Sequence, residues 1–342
     1  MDLNEFKSRL KSGNLSGWYI ICGEEDYLKK YYMNELRSLI VADEVFAPFN
    51  HVAFDGADID FSAVAEAIKS PPMMSDYKLI EWRFANLDGM KEGERGALEA
   101  LFELKDEYPY AVFAIMPSSD GFDAGTQKKP SRLGARLEKG FDIINFSKST
   151  DAQLLAWLKK HFDAEGVLVD ISSLNALLFR SGRSMEVLNN EVIKLCCYVK
   201  AGGRDRVTPG DVEAVASPTV ECDAFALSNA VLEKNTEKAF VALTDLKQRR
   251  VEPQAVIAML ERTYSELTSV ALLLDEGKGA SDIESILKFH PFKAKLYIGA
   301  AKKFGTKRLS ESLSELCRAD AASKSGGISG YGSVEMFITR HL

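Results

Sequence analysis

Gly17-Trp18-Tyr19-Ile20-Ile21-Cys22-Gly23-Glu24-Glu25-Asp26-Tyr27-Leu28 is a short apolar run that stops at a glycine and turns into a helix. A strand, a glycine turn and a helix N-terminus in that order form the place where nucleotide-binding proteins wrap phosphates, because backbone N–H groups and the helix dipole converge there. A working P-loop reads G-x-x-x-x-G-K-[ST]. Counting on from Gly23, the positions of the second glycine, the lysine and the hydroxyl hold Leu28, Lys29 and Lys30. Glu24, Glu25 and Asp26 crowd the helix start, where carboxylates suit the dipole and repel a triphosphate. The stretch therefore reads as nucleotide-binding architecture without the nucleotide chemistry, and Gly23, Glu24 and Glu25 are expected to bind no ligand.

Working outward, further strands are expected at 49–54, 78–84, 110–116 and 141–146, with helices at 61–68, 96–104 and 131–139 between them. A short amphipathic helix precedes the first strand, and a helix over 26–41 follows it. Strands alternating with helices at this spacing predict a five-stranded parallel sheet covered on both faces. That α/β domain spans 1–148. From Ser149 onward strand signals fade, and helices at 151–162, 171–179, 185–199 and 209–216 make a small helical domain over 149–216. The last of these opens at Thr208-Pro209-Gly210-Asp211, a capped start with proline in the first turn. After Ser217-Pro218-Thr219 everything reads as helix, which gives an all-α domain over 217–342. In its longest helix, 253–274, Val256, Met259, Leu260, Thr263, Leu267, Val270 and Leu274 form one stripe. Ser325-Gly326-Gly327-Ile328-Ser329-Gly330 reads as a flexible break.

A chain of 342 residues is long for one core. It carries 43 Lys and Arg against 50 Asp and Glu, a formal charge of -7. A protein that grips a phosphate backbone unaided is usually basic, so any contact with DNA is expected to be shared with partners. The N-terminus lacks the apolar core of a signal peptide, and no run reaches the roughly 20 apolar residues of a spanning helix, so a cytoplasmic protein without membrane contact is expected. Cys22, Cys196, Cys197, Cys222 and Cys317 are scattered and contain no C-x-x-C pair, which suggests reduced core cysteines.

Catalytic chemistry finds little support. An ATPase needs acids at the end of its third strand to hold magnesium, yet that strand runs into Arg83-Phe84-Ala85-Asn86. Its one acid, Glu81, reads as a salt-bridged or edge residue. His51, His161, His290 and His341 lie far apart with no ligand spacing and read as surface or capping residues, so neither a metal nor a cofactor is expected. One feature stands out. Pro71-Pro72-Met73-Met74 sets two large flexible hydrophobes on a stiff turn between a helix and a strand. Either the two methionines tuck under the sheet, or they protrude as a plug whose thioethers adapt to a partner's pocket.

With these residues in hand, the chain resembles the delta subunit family of bacterial DNA polymerase III, the clamp-loader subunit that opens the sliding clamp. Tyr19 to Leu28 is similar to that family's opening strand and Gly-Glu-Glu turn, Phe54-Asp55-Gly56 to its second-strand ending, and Ser70 to Leu79 to its Pro-aromatic-aromatic-Ser-Asp turn and strand. Leu188-Asn189-Asn190-Glu191-Val192-Ile193-Lys194-Leu195 resembles its Asn-Glu-Leu-x-Lys-Leu helix. His290-Pro291-Phe292 and the segment Arg318 to Gly326 resemble its His-Pro-Tyr and Ala-Asp-x-x-x-Lys-x-Gly segments. The family usually carries aromatic residues or leucine where Met73 and Met74 stand, and often Arg-Gln-Phe-Arg where this chain reads Arg262-Thr263-Tyr264-Ser265. The arginine-finger motif of sister subunits has no counterpart, since 137–140 reads Leu-Glu-Lys-Gly.

The resemblance implies an AAA+-like first domain without ATPase activity, a helical lid, and a helical collar that assembles with the gamma or tau and delta-prime subunits. It implies that Pro72, Met73 and Met74 are the plug set into a hydrophobic pocket of the sliding clamp (beta), that the ring opens for loading onto primed DNA, and that the chain is a non-catalytic subunit of a DNA polymerase holoenzyme. Two alternatives from other classes stay open. A P-loop-like NTPase or phosphotransferase with an atypical phosphate site predicts heat on titrating ATP with magnesium. A free-standing nucleic-acid-binding protein predicts steeply salt-dependent DNA binding by the chain alone.

Overall fold

The computed structural model describes residues 1–126, 129–325 and 330–341. Two compact units divide the chain, Met1–Ser149 and Thr150–Leu342.

In the first unit, α1 (Leu3–Ser12) leads through Gly13, whose φ of 73° suits a left-handed cap, toward β1 (Trp18–Cys22). Then follow α2 (Asp26–Ile40), a 3₁₀ turn at Glu44–Phe46, α3 (Ala47–Asn50), β2 (His51–Asp55), α4 (Phe61–Lys69) and β3 (Lys78–Ala85). Beyond β3 come α5 (Glu92–Ala100), a second 3₁₀ turn at Leu101–Glu103, α6 (Leu104–Glu107) and β4 (Ala111–Pro117). A small hairpin of β5 (Gly125–Thr126) and β6 (Lys129–Pro130) precedes α7 (Arg132–Leu137) and β7 (Asp142–Asn145). The main sheet has five strands in the order β2-β3-β4-β1-β7, and every pairing is parallel.

Burial of both faces explains why β1 and β4 are apolar throughout and β3 largely so. Trp18, Ile20, Ile80, Trp82, Phe113 and Ile115 face a core shared with Val64 and Ile68 of α4, Leu98 of α5 and Leu137 of α7. Tyr19, Ile21, Leu79, Val112 and Ala114 face the opposite core, closed by Phe6 and Leu10 of α1 and Met33, Leu36 and Ile40 of α2. The expected five-stranded parallel sheet covered on both faces is present.

The second unit opens with α8 (Asp151–Ala164), capped by Thr150 and Gln153 in a reciprocal box. It continues through β8 (Leu168–Val169), α9 (Ile171–Ser181), α10 (Met185–Ala201), β9 (Arg206–Val207) and α11 (Pro209–Val215). The box of Thr208 with Asp211 starts α11 as its sequence requires. Helices α12 (Val220–Leu232), α13 (Thr236–Gln248), α14 (Pro253–Asp275), α15 (Ala280–Leu287), α16 (Pro291–Phe304), α17 (Thr306–Lys324) and α18 (Tyr331–His341) complete it. Around α14, Leu227, Val231, Leu243, Tyr297, Leu316 and Phe337 form a continuous core.

Several expectations need correction. Strand two starts at His51 rather than 49, because Ala47–Asn50 closes a helical turn with Pro48 in its first turn. The helix after β3 starts at Glu92, where Glu94 reaches back to the Lys91 N–H, and not at 96. Strand structure does not end at 149: β8 and β9 pair in parallel, with Arg206 of β9 closing the polar, Gly-rich stretch 200–206 whose composition reads as a loop. Two-residue strands have too short a pattern to stand out in sequence. Spacing alone puts Val187, Leu188, Val192, Leu195 and Cys196 on one stripe of the helix at 185–199, but on α10 Val187 is exposed, and Met185, Glu191 and Val199 share the buried stripe instead. On α14 Ile257, Tyr264 and Ala271 are in the core, while Met259 and Leu274 are only partly buried. The stripe is wider than one residue per turn because neighbours contact the helix from several sides.

Cys22, Cys196 and Cys222 are buried, but Cys197 and Cys317 are exposed, so the cysteines are not all core residues. The glycine-rich break at 325–330 lies, apart from its two ends, outside the described residues, as does the His341 side chain.

Candidate functional site

Gly23 ends β1 with φ 106°, a conformation that favours glycine. A Cβ there would lie 2.5 Å from both Asn145 Oδ1 and the Phe146 carbonyl oxygen. This close approach has the opposite use from a P-loop glycine. The Glu25 N–H donates to the Phe146 carbonyl at 2.9 Å, and the Phe146 N–H donates to the Cys22 carbonyl at 2.8 Å. Backbone that would curl around phosphate is tied to the chain leaving β7. Lys29, at the lysine position of the motif, is buried and pairs with Asp26 at 2.8 Å. Burial and the neighbouring Asp26 raise the Glu25 pKa. The Cys22 thiol is pushed up to about 12 by burial and is no nucleophile at neutral pH.

Pro72, Met73 and Met74 stand at the opposite edge of the sheet. Gly23 follows the carboxyl end of β1, whereas the Pro72–Met74 turn leads into the amino end of the parallel β3. The carboxyl edge is where open α/β sheets bind nucleotides. The two candidate sites are thus separated by the length of a strand.

The methionines do not tuck under the sheet. Met73 is 44% exposed and Met74 is 84% exposed. Their backbone is nonetheless fixed. Asn50, only 3% exposed, accepts from the Met73 N–H through Oδ1 at 2.7 Å and donates from Nδ2 to the Met73 carbonyl at 2.8 Å. Ser75 Oγ donates to the Ile40 carbonyl at the end of α2 at 3.1 Å, and Lys78 Nζ donates to the Ser70 carbonyl at 3.3 Å. Met74 takes a left-handed φ of 55°, uncommon for a residue with a side chain and found where surrounding structure dictates it. Asn50 and Ser75 carried no signal in the sequence, since their partners lie 23 and 35 residues away.

A buried charge network joins β3, α2 and β2. Glu81 on β3 is fully buried and accepts from Arg37 Nη2 of α2 at 2.7 and 2.8 Å, and its Oε2 lies 2.8 Å from His51 Nε2 of β2. Burial alone would raise the Glu81 pKa, but the hydrogen bonds from His51 and Arg37 together with their charges hold it below the ordinary value. Glu81 is salt-bridged as expected and is not an edge residue, because β3 lies between β2 and β4. His51 corrects the reading of the histidines as surface or capping groups. It is a partner of this carboxylate, and only the fold brings it there. His290 does cap its helix, accepting from the Phe292 N–H at 3.2 Å.

A cleft of about 360 Å³ in the second unit is lined by Phe179, Glu221, Arg262, Glu266, His290 and Lys293, among others. Its charges are largely spent on one another: Lys293 reaches Glu221 and Glu266 at 2.9 Å each. Among the described residues no His, Cys, Asp and Glu group could hold a metal, and no helix is long and apolar enough to cross a membrane.

Comparison with known proteins joins these two units to one family. Residues 19–117 match the family described as DNA polymerase III, delta subunit, and residues 221–341 match the DNA polymerase III delta subunit, C-terminal domain. The chain belongs to the DNA polymerase III delta subunit family. A delta-family relative, DNA polymerase III subunit delta of Bacillus subtilis (strain 168), is 22% identical over 339 residues, covering 97% of this chain and 95% of the relative. Among solved structures the chain is similar to the Bacillus subtilis DNA clamp loader delta protein (YqeN), with a TM-score of 0.57 and 21% identity over 99% of this chain and 98% of that one. The likeness in fold to that delta protein covers nearly the whole chain, the α/β unit with its parallel sheet and the mostly helical unit that follows.

Proposed function

We propose that this delta-family chain works as the clamp-opening subunit of a clamp loader, docking on the sliding clamp through Pro72, Met73 and Met74 and biasing a ring interface toward open. The observation that carries this reading is the pairing of exposed methionine side chains with a pinned backbone. A flexible loop would lose the entropy of ordering on binding, whereas a turn held by Asn50 has already lost it. The tied Gly23 loop supports a body that does no nucleotide chemistry of its own. In this reading residues 149–216 are the lid and 217–342 the collar that joins the gamma or tau and delta-prime subunits. ATP bound by those subunits governs access to the plug, through a difference in affinity between two states of the assembly. The acidic balance fits DNA contact shared across a cytoplasmic complex.

The test is direct: the purified chain retains a purified sliding clamp on a column without ATP. Failure to retain it at micromolar concentration would overturn the reading. Energetics adds a constraint, since burying two methionine side chains contributes roughly 3–6 kcal/mol. A micromolar complex needs about 8 kcal/mol beyond the cost of association, so contacts outside the plug must contribute.

Asn50→Ala separates pinning from contact. It leaves both methionines in place and removes the two hydrogen bonds to Met73. Clamp affinity is expected to fall about tenfold, corresponding to about 1.4 kcal/mol, while circular dichroism stays native. Wild-type affinity in this variant, measured by surface plasmon resonance, would show that pinning is irrelevant.

A further inference from the structure

Three segments of the first unit are fastened together at the amino edge of the sheet. Asn50 of α3 holds Met73, and Ser75 holds the end of α2 at Ile40. Each of the joined segments exposes large apolar side chains: Leu39 on α2, Val45 and Phe49 before β2, and the methionine pair. Val45 is 73% exposed and Phe49 51% exposed, although both lie in helical turns. Asp43 caps the 3₁₀ turn by accepting from the Val45 N–H at 2.9 Å, and Asn50, one residue past Phe49, is buried. Val45 and Phe49 are four residues apart across two successive helical turns, and the residues around them anchor the segment inward. A capped segment that buries Asn50 and turns out Val45 and Phe49 is built to present them.

We propose that Val45 and Phe49, flanked by Leu39, continue the docking surface beyond the methionine plug and seat on the clamp against an apolar strip edged by basic side chains. The inference rests on the plug reading and extends it. The partner's chemistry follows from the rim. Residues 42–50 and 71–77 contain Asp43, Glu44 and Asp76, all exposed, and no lysine or arginine. Lys69 at the end of α4 is exposed and lies just outside these segments, and an apolar ridge whose own two segments carry carboxylates and no cation complements a basic-edged surface. It repels a nucleic-acid backbone, and a second copy of this chain would set the same carboxylates against themselves. The surface thus supplies contacts that two methionines alone do not.

The experiment compares clamp affinity for the full chain, Val45→Asp/Phe49→Asp and Met73→Asp/Met74→Asp by surface plasmon resonance at low and moderate salt, with melting temperature as the fold control. Val45→Asp/Phe49→Asp is expected to weaken clamp binding at least tenfold with an unchanged melting temperature. Val45→Ser/Phe49→Ser provides the same comparison if the aspartates disturb folding. Neutralising the rim with Asp43→Asn/Glu44→Gln/Asp76→Asn is expected to flatten the salt dependence. Binding within twofold of wild type for both ridge variants, alongside loss in the methionine variant, would overturn the ridge and leave the plug standing. Wild-type binding by the methionine variant would instead overturn the plug. If sedimentation shows that the ridge variants abolish a wild-type homodimer while clamp affinity is unchanged, the occupant is a second copy and the inference fails.

Discussion

Met73→Asp with Met74→Asp abolishes capture of the sliding clamp, lowering affinity by at least a thousandfold, and leaves the melting temperature within about 2 °C of wild type. Both parts follow from the geometry of the turn. The substitution removes roughly 3–6 kcal/mol of apolar burial and asks the partner's pocket to desolvate two carboxylates, which adds to the loss. The fold has little to lose. Both side chains are exposed, the Asn50 hydrogen bonds go to the Met73 backbone and survive, and aspartate is among the residues that tolerate the left-handed conformation at position 74. Surface plasmon resonance and thermal melting on the same preparations check the two parts. Retained affinity would remove the plug from the mechanism, and a fall of many degrees in melting temperature would show that the methionines are structural.

Glu81→Gln is expected to have the largest effect on stability. The fully buried carboxylate accepts from Arg37 and pairs with His51, so neutralising it leaves two cationic or polar partners without their anion. Removing one member of a buried pair costs about 3–5 kcal/mol. Arg37 and His51 retain some access to water, which places the loss near about 3 kcal/mol. The first unit's melting temperature should fall by roughly 5–10 °C. The pH dependence carries a definite sign. Because the folded state holds the Glu81 pKa below its ordinary value of 4.5, its stabilisation is complete above that value and is lost as pH falls through the lower folded pKa. Glu81→Gln therefore loses most stability at neutral pH and has a shallower acid limb than wild type. Equal melting temperatures for the two proteins at pH 7 would contradict this account.

Much of the first unit was legible in the residues because a doubly covered parallel sheet writes its strands as continuous apolar runs. Trp18 to Cys22 is such a run, and the missing glycine and hydroxyl after Gly23 point away from phosphate binding. Legibility stopped where partners are distant in sequence. Nothing around Asn50 announces that its carboxamide will bracket Met73, and nothing around His51 announces Glu81, because only the folding of α3 and β2 against β3 and the turn before it brings those pairs together. The methionine turn was ambiguous for a related reason. Whether an apolar pair tucks in or projects depends on the edge of the sheet it occupies. The short β8 and β9 strands were invisible because two residues carry no period. Val187 misled because a helix stripe read from spacing alone does not reveal which flank its neighbours cover.

The left-handed backbone at Met74 limits which side chains the tip of the turn can carry. At φ 55° a second heavy atom on Cβ would collide with its own main chain, so valine, isoleucine and threonine are poorly suited there whatever a partner would prefer. Methionine, leucine, phenylalanine and tyrosine place a single heavy atom next to Cβ and branch, if at all, farther out. The turn thus filters the chemistry of its own tip, admitting long or flat apolar groups that branch beyond Cβ and rejecting apolar groups that branch at Cβ.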